Sequence, residues 1–314
     1  MTDKKASRDG FGKAIAAIGR DKNIVVLDAD LSESTRSAKF REKYPDRFFN
    51  MGIAEQDMIG TAAGMAASGK IPFACSFAVF ITGNGYAQIR LHAGISKLNI
   101  KIIGSHAGLL TGEDGASHQS LEDISMLRAI PGMAVVQPAD FIEAEKATKE
   151  IAKYKGAVYL RLGRAKLPIF HKENYKFRLG KGDLLRKGRD ITIFATGALV
   201  YEALQAAEKL EKKDVSAEVI NIHTIKPLDS GLVVKSVKKT GRVITCEDHN
   251  VIGGMGSAVQ ELLCDKFPCK VNKIGINDKF GESGRPMQLY EKYGLTSEAI
   301  YEKAVSVINK GGRE

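Results

Sequence analysis

Short runs of β-branched and aliphatic residues alternate with longer stretches of helical spacing through most of the 314 residues. The runs in the first half are "NIVVLDADL" from Asn23, "KIPFACSFAVF" from Lys70, "LNIKIIG" from Leu98, "MAVVQPAD" from Met133 and "AVYLRLG" from Ala157. This alternation constrains the fold more than any other feature. Parallel strands need long crossovers, helices supply them, and a sheet covered on both faces reads as near-continuous apolar strands. Between Ala165 and Asp190 the rhythm lapses into "AKLPIFHKENYKFRLGKGDLLRKGRD", then resumes with "ITIFATG", "AEVINI", "RVITCE" and "KVNKIGI", each followed by a helical pattern. The expected fold is α/β, two parallel-sheet sandwich domains at 1–170 and 190–314 with a linker at 171–189. The length agrees with about 150 residues per domain.

Further local expectations are a helix around Phe11 to Ile18, a short strand before a turn at Gly52, a helix starting near Glu55 and another over Asn84 to Ser96. "SLEDISMLRAI" predicts a helix with a capping box at Ser120 and Asp123. "EDHNVIGGMGSAV" reads as a tight turn, because Gly253, Gly254 and Gly256 do not meet the phosphate-binding GxGxxG spacing.

No apolar run approaches the ~20 residues of a membrane helix, and "MTDKKASRDG" lacks a secretory apolar core, so a cytoplasmic protein without membrane association is expected. Cys75, Cys246, Cys264 and Cys269 form no CxxC pair, which argues for buried free thiols over a disulfide framework or zinc site. The formal charge of +10 lies largely on helix faces such as "EAEKATKEIAKYK". With no tryptophan and few aromatics among the basic residues, nucleic acid is not an expected partner.

Several residues could carry chemistry, each with a plainer reading beside it. Glu55 heads "EQDMIGTAAGMAASG", a helix stripped of bulk that suits close packing on a neighbouring helix or a second subunit. A glutamate there serves as a dipole partner or, if desolvated at an interface, as a functional carboxyl. Phe77 and Phe80 either pack a core or wall a pocket for a flat heterocycle. "GSHAGLLTGEDGASHQ" places His106, Glu113, Asp114 and His118 in a glycine-dense loop, suited to hydrogen bonding a hydroxylated substrate or simply to turning the chain. Arg161 and Arg164 end a strand and could grip a phosphate or form ion pairs.

Taken together, "GIAEQ", "SFAVF", "GEDGASHQSLED", "PGMAVVQPAD" and "EDHNVIGGMGSA" resemble transketolase in order and spacing over essentially the whole chain, matching that family's pyrimidine-binding and C-terminal domains. "GIAEQ" is also similar to 1-deoxyxylulose-5-phosphate synthase and 2-oxo-acid decarboxylase β subunits, while "GSHAGLLTGEDG" favours transketolase. The resemblance implies thiamine diphosphate as cofactor, with Glu55 bonded to N1′ of its aminopyrimidine ring, Phe77 and Phe80 walling that ring, and Asp30 beside it. It implies that His106 and His118 handle donor hydroxyls and protons, that Asp114 contacts the donor sugar, and that Arg8, Ser34 and Arg164 hold a substrate phosphate. Gly83 stands where many transketolases have another aromatic.

The family's GDG segment, which holds the diphosphate through Mg²⁺, is absent. The resemblance therefore implies the C-terminal subunit of a split transketolase of pentose phosphate metabolism. It would pair with a GDG-bearing N-terminal subunit that ligates Mg²⁺, self-associate through both of its domains, and transfer a two-carbon ketol unit between sugar phosphates. The alternatives are a subunit of another thiamine diphosphate enzyme, such as one acting on pyruvate, and a non-catalytic α/β binding module.

Overall fold

The computed structural model describes residues 3–310. Seven strands form the first sheet, in the order Thr224–Lys226, Ala134–Val136, Val158–Arg161, Lys101–Ser105, Ile71–Phe77, Ile24–Asp28, Phe48–Asn50. The last six run parallel, as the alternation predicts. Ile24–Asp28 is buried at every position, as a strand covered on both faces must be. The helices Ser7–Ile18 and Phe141–Lys153 cover one face together. They approach so closely that a Cβ on Gly10 would lie 2.3 Å from the Phe141 carbonyl oxygen, which explains glycine there.

The second sheet runs Val271–Ile276, Val243–Asn250, Ile191–Ala195, Ala217–Asn221, Asp183–Arg186, with only the last strand antiparallel. That strand falls inside the stretch read as linker, and Leu167–Pro168 before it pairs with Lys4–Lys5. Composition hides both because they are short edge elements among charged residues. Thr224–Lys226 leaves the second half of the chain to pair antiparallel with the first sheet, so the halves share strands as well as side chains.

Polar contacts fill the seam. Both oxygens of Glu143 accept from Asn221 Nδ2 at 2.9 Å, and Oε1 also accepts from the Tyr175 hydroxyl at 2.8 Å. His171 lies 3.1 Å from Asp140 and 3.3 Å from Asp183. Burial alone would lower its pKa, but those carboxylates carry it up to about 10, so it is a cation at neutral pH.

Three local expectations need correction, and one helix was not expected at all. The Asn84 to Ser96 stretch is a broken element, with Tyr86–Gln88 running into π-helical Ile89–Ile95. The helix after Ser120 starts at Asp123 with no side-chain cap, because the Asp123 carboxylate is drawn to Arg161. The helix Pro286–Tyr293 escaped the sequence reading altogether. Cys75 and Cys246 are buried as expected, but Cys264 is exposed and Cys269 half-buried. No helix among the described residues is long and apolar enough to cross a membrane.

Candidate active site

The strand Ile24–Asp28 has Phe48–Asn50 on one side and Ile71–Phe77 on the other, so the chain crosses from it to one neighbour and then back past it to the other, reversing direction along the sheet. Ligands of open α/β sheets bind outside the carboxyl ends of strands at such a switch point. Asp30, Glu55, Phe77, His106 and Arg164 all lie at or just beyond those ends. Asp28, the last residue of the strand Ile24–Asp28, accepts from Leu31 N at 2.6 Å, Thr35 Oγ1 at 2.7 Å and Ser37 Oγ at 2.8 Å. It thereby pins the turn carrying Asp30 and Ser34. Asp30 itself has φ 63°, is exposed, and accepts from Asn50 Nδ2 at 2.8 Å.

Glu55 opens the helix Glu55–Ala67 but does not sit on the surface as a plain dipole partner would. It is 4 % exposed. Its carboxylate accepts from Ser76 Oγ at 3.1 Å and from Asn84 Nδ2 at 3.3 Å, both neutral donors. These leave lone pairs free, so the group has capacity for one more donor such as a ring N–H. The sequence reading gave neither residue a part in the site, although Ser76 sits in the quoted "SFAVF" and Asn84 was named only as the start of a helix.

The rings of Phe77 and Phe80 are nearly parallel, 15° apart with centroids at 5.9 Å. Phe77 also stacks on His106 at 3.8 Å, and His118 meets Phe80 edge-on at 5.2 Å. The two phenylalanines and two histidines therefore form one cluster. At Gly83 a Cβ would meet nothing within 4 Å.

Arg8 joins the pieces, donating from Nη1 to the Ser34 carbonyl at 2.9 Å and lying 3.1 Å from His106 Nε2. Arg164 pairs with Asp114 at 2.9 Å and donates to the Thr111 carbonyl at 2.9 Å. Arg36, missed from sequence, acts with Arg164 to lower Arg8 further after burial has done so. Burial, reinforced by Arg8 and Arg164, lowers His106 to about 3. His106 is thus neutral across the physiological range, with Nδ1 2.9 Å from Ser105 Oγ. In an NMR titration its ring signals should stay flat from pH 8 to about 5, where an ordinary histidine of pKa ≈ 6.5 changes charge. The unfolded chain takes up this proton first, so His106 makes stability fall as pH drops from about 6.5 towards 3.

Arg161 does not belong with these cations. It is 1 % exposed and paired with Asp123 at 2.7 Å, out of reach of a substrate phosphate. Among the described residues no group of three His, Cys, Asp or Glu side chains could hold a metal ion.

Residues 3–169 match the family model "Transketolase, pyrimidine binding domain" and residues 180–300 match "Transketolase, C-terminal domain". A putative transketolase C-terminal section from Methanocaldococcus jannaschii is 46% identical over 98% of this chain and 97% of its own length. A 6-deoxy-6-sulfo-D-fructose transketolase subunit from a Clostridium species is 43% identical over 93% of this chain and 90% of its own. A solved split-gene transketolase, described as an inactive β4 tetramer, superposes with TM-score 0.91 at 44% identity, covering 97% of this chain and 98% of that one.

Proposed function

The chain belongs to the transketolase family, and on that premise we propose that it is the C-terminal subunit of a two-chain enzyme transferring a two-carbon ketol unit from a ketose phosphate to an aldose phosphate. Pentose phosphate metabolism is the proposed setting. The observation that carries this reading is Glu55, a buried carboxylate with spare acceptor capacity beside the Phe77–Phe80 pair.

These residues fit an aminopyrimidine. Glu55 would share a proton with its N1′ nitrogen, accepting from that nitrogen in its protonated form, Phe77 and Phe80 would face its apolar surface, and Asp30 would lie beside the cofactor. Thiamine diphosphate, the cofactor the family implies, supplies the carbon centre on which such transfers run. The rest falls to this chain's own side chains. Neutral His106 can donate or accept at a donor hydroxyl without adding charge, and His118 would reach donor hydroxyls from across the phenylalanine pair. Asp114 would contact the donor sugar. Arg8 and Arg164, with Ser34, form the cationic end suited to a phosphate, since guanidinium presents a planar fork of donors. The sulfofructose relative favours a sulfonate donor as a second reading, because the same fork would hold either anion.

The diphosphate and Mg²⁺ are assigned to an N-terminal partner bearing GDG. Self-association is supported by one open face of the Glu55–Ala67 helix. Cβ atoms on Gly60 and Gly64 would meet nothing within 4 Å, and Ile53 nearby is 86 % exposed. A small-residue face of this kind suits the close approach of a second copy.

The test is ketol transfer from xylulose 5-phosphate to ribose 5-phosphate with thiamine diphosphate and Mg²⁺, using this chain alone and with a co-expressed GDG-bearing chain. Activity is expected only in the mixture. Activity in the chain alone would refute the split site. Silence in both, with turnover of pyruvate or a sulfosugar, would move the assignment to that donor.

A further inference from the structure

The loop carrying both histidines belongs to the first half of the chain, yet much of its support comes from the second. Asp248, near the end of the strand Val243–Asn250, is buried. Its Oδ1 accepts from Leu109 N at 2.9 Å, its Oδ2 accepts from the Tyr290 hydroxyl at 3.0 Å, and its main-chain carbonyl accepts from Arg161 Nη2 at 3.1 Å. Gly108 (φ 81°) brings the backbone so near that a Cβ would sit 2.2 Å from Asp248 Oδ2. Further along, Gln119 Nε2 donates to the Gly112 carbonyl at 3.1 Å and to that of Glu282 at 3.0 Å, bridging the loop to the second half. A Cβ on Gly115 would lie 2.4 Å from Ser283 Oγ. Within the loop, Thr111 Oγ1 donates to the His106 carbonyl at 2.6 Å, so displacement of one end reaches the histidine.

We propose that Asp248 is a positioning residue for ketol transfer, acting as a clamp through which the C-terminal domain sets the place of His106 and His118. This rests on the reaction proposed above. It gives that domain a part in the chemistry beyond subunit contact, since small misplacements of substrate-handling groups cost rate steeply.

The test compares D248A, D248N and Y290F by amide hydrogen exchange on this chain alone and by ketol transfer in the complex with its partner. D248A leaves the Leu109 N–H buried without an acceptor, so amides 108–119 should exchange roughly tenfold faster or more, with the rest of the second domain unchanged. In D248N the amide oxygen still accepts from Leu109, and the NH₂ donates to the Tyr290 oxygen, so protection should be retained. Y290F, which removes only the outer bond, should fall between. In the complex kcat should fall about tenfold or more in D248A, with a smaller change in KM, and be restored in D248N. Unchanged exchange in D248A, equal loss in D248N, or protection lost evenly over the second domain would each overturn the clamp. Absence of ketol transfer by the unmodified complex would count against the reaction alone, since exchange on the isolated chain still decides the clamp.

Discussion

In the assembled enzyme, Glu55→Ala is expected to lower ketol transfer by about 10²–10⁴-fold, the range for losing a group that handles a proton in the reaction. The fold should persist. A helix-terminal glutamate of purely structural use gains only about 0.3–1 kcal/mol, and does so while exposed. Glu55 is instead enclosed, with only the neutral donors Ser76 and Asn84 on its carboxylate. Burying a charge with so few partners is unfavourable, so its removal should leave the thermal midpoint unchanged or raised. Glu55→Gln separates charge from shape, because it keeps an acceptor for Ser76 yet should be nearly as inactive. Turnover and thermal midpoint measured together decide the matter. An active alanine variant would end the assignment, and inactivity with a large drop in midpoint would make Glu55 structural.

The largest effect on stability is expected at Asp123. Its carboxylate accepts from Arg161 Nε at 2.7 Å and from the Tyr159 hydroxyl at 2.5 Å, all three fully buried. Burial acts most strongly and would raise its pKa, but Arg161, His249 and the Tyr159 hydroxyl together outweigh it and hold the group below the ordinary carboxylate range. Asp123→Ala would strand the guanidinium, and breaking a buried pair from one side typically costs about 3–5 kcal/mol. For a chain of this size that is a fall in thermal midpoint on the order of 10 °C. Urea or thermal unfolding of the variant checks it, and a shift of only a degree or two would mean that Arg161 finds other acceptors. A depressed carboxylate stabilises the fold above its unfolded pKa of about 3.9, so this contribution disappears as pH falls through that value and below. Replacing Asp123 and Arg161 together by apolar residues should cost much less than Asp123→Ala, since neither charge is then left alone.

The two arginines of "YLRLGRAKLP" show how far local reading reached. Three residues apart in sequence, both stood as candidate phosphate ligands on residue type and position along the strand, and only the resemblance singled out Arg164. Arg161 turns into the seam, where it meets Asp123, the Ser120 carbonyl and the Asp248 carbonyl, while Arg164 clears the strand end to pair with Asp114. The capping box expected at Ser120 failed for the same reason. Its acidic partner was taken by a contact 38 residues away in sequence, stronger than a cap because both groups are charged. Glu55 raised a different ambiguity. Its motif marked the place and the resemblance gave it an expected role, and burial among neutral donors weighs against a plain dipole partner.

By itself, the sequence determined the alternation of strand and helix, the parallel sheets and the candidate residues just past strand ends. Those features follow from burial periodicity and from the crossover that parallel strands require, and both are written within a few tens of residues. Tertiary structure alone decided which polar groups are enclosed and what holds the histidine loop. Leu109 and Asp248 are 139 positions apart. Desolvation and hydrogen-bond partnership depend on what the fold brings to a side chain from that distance, and no local pattern records it.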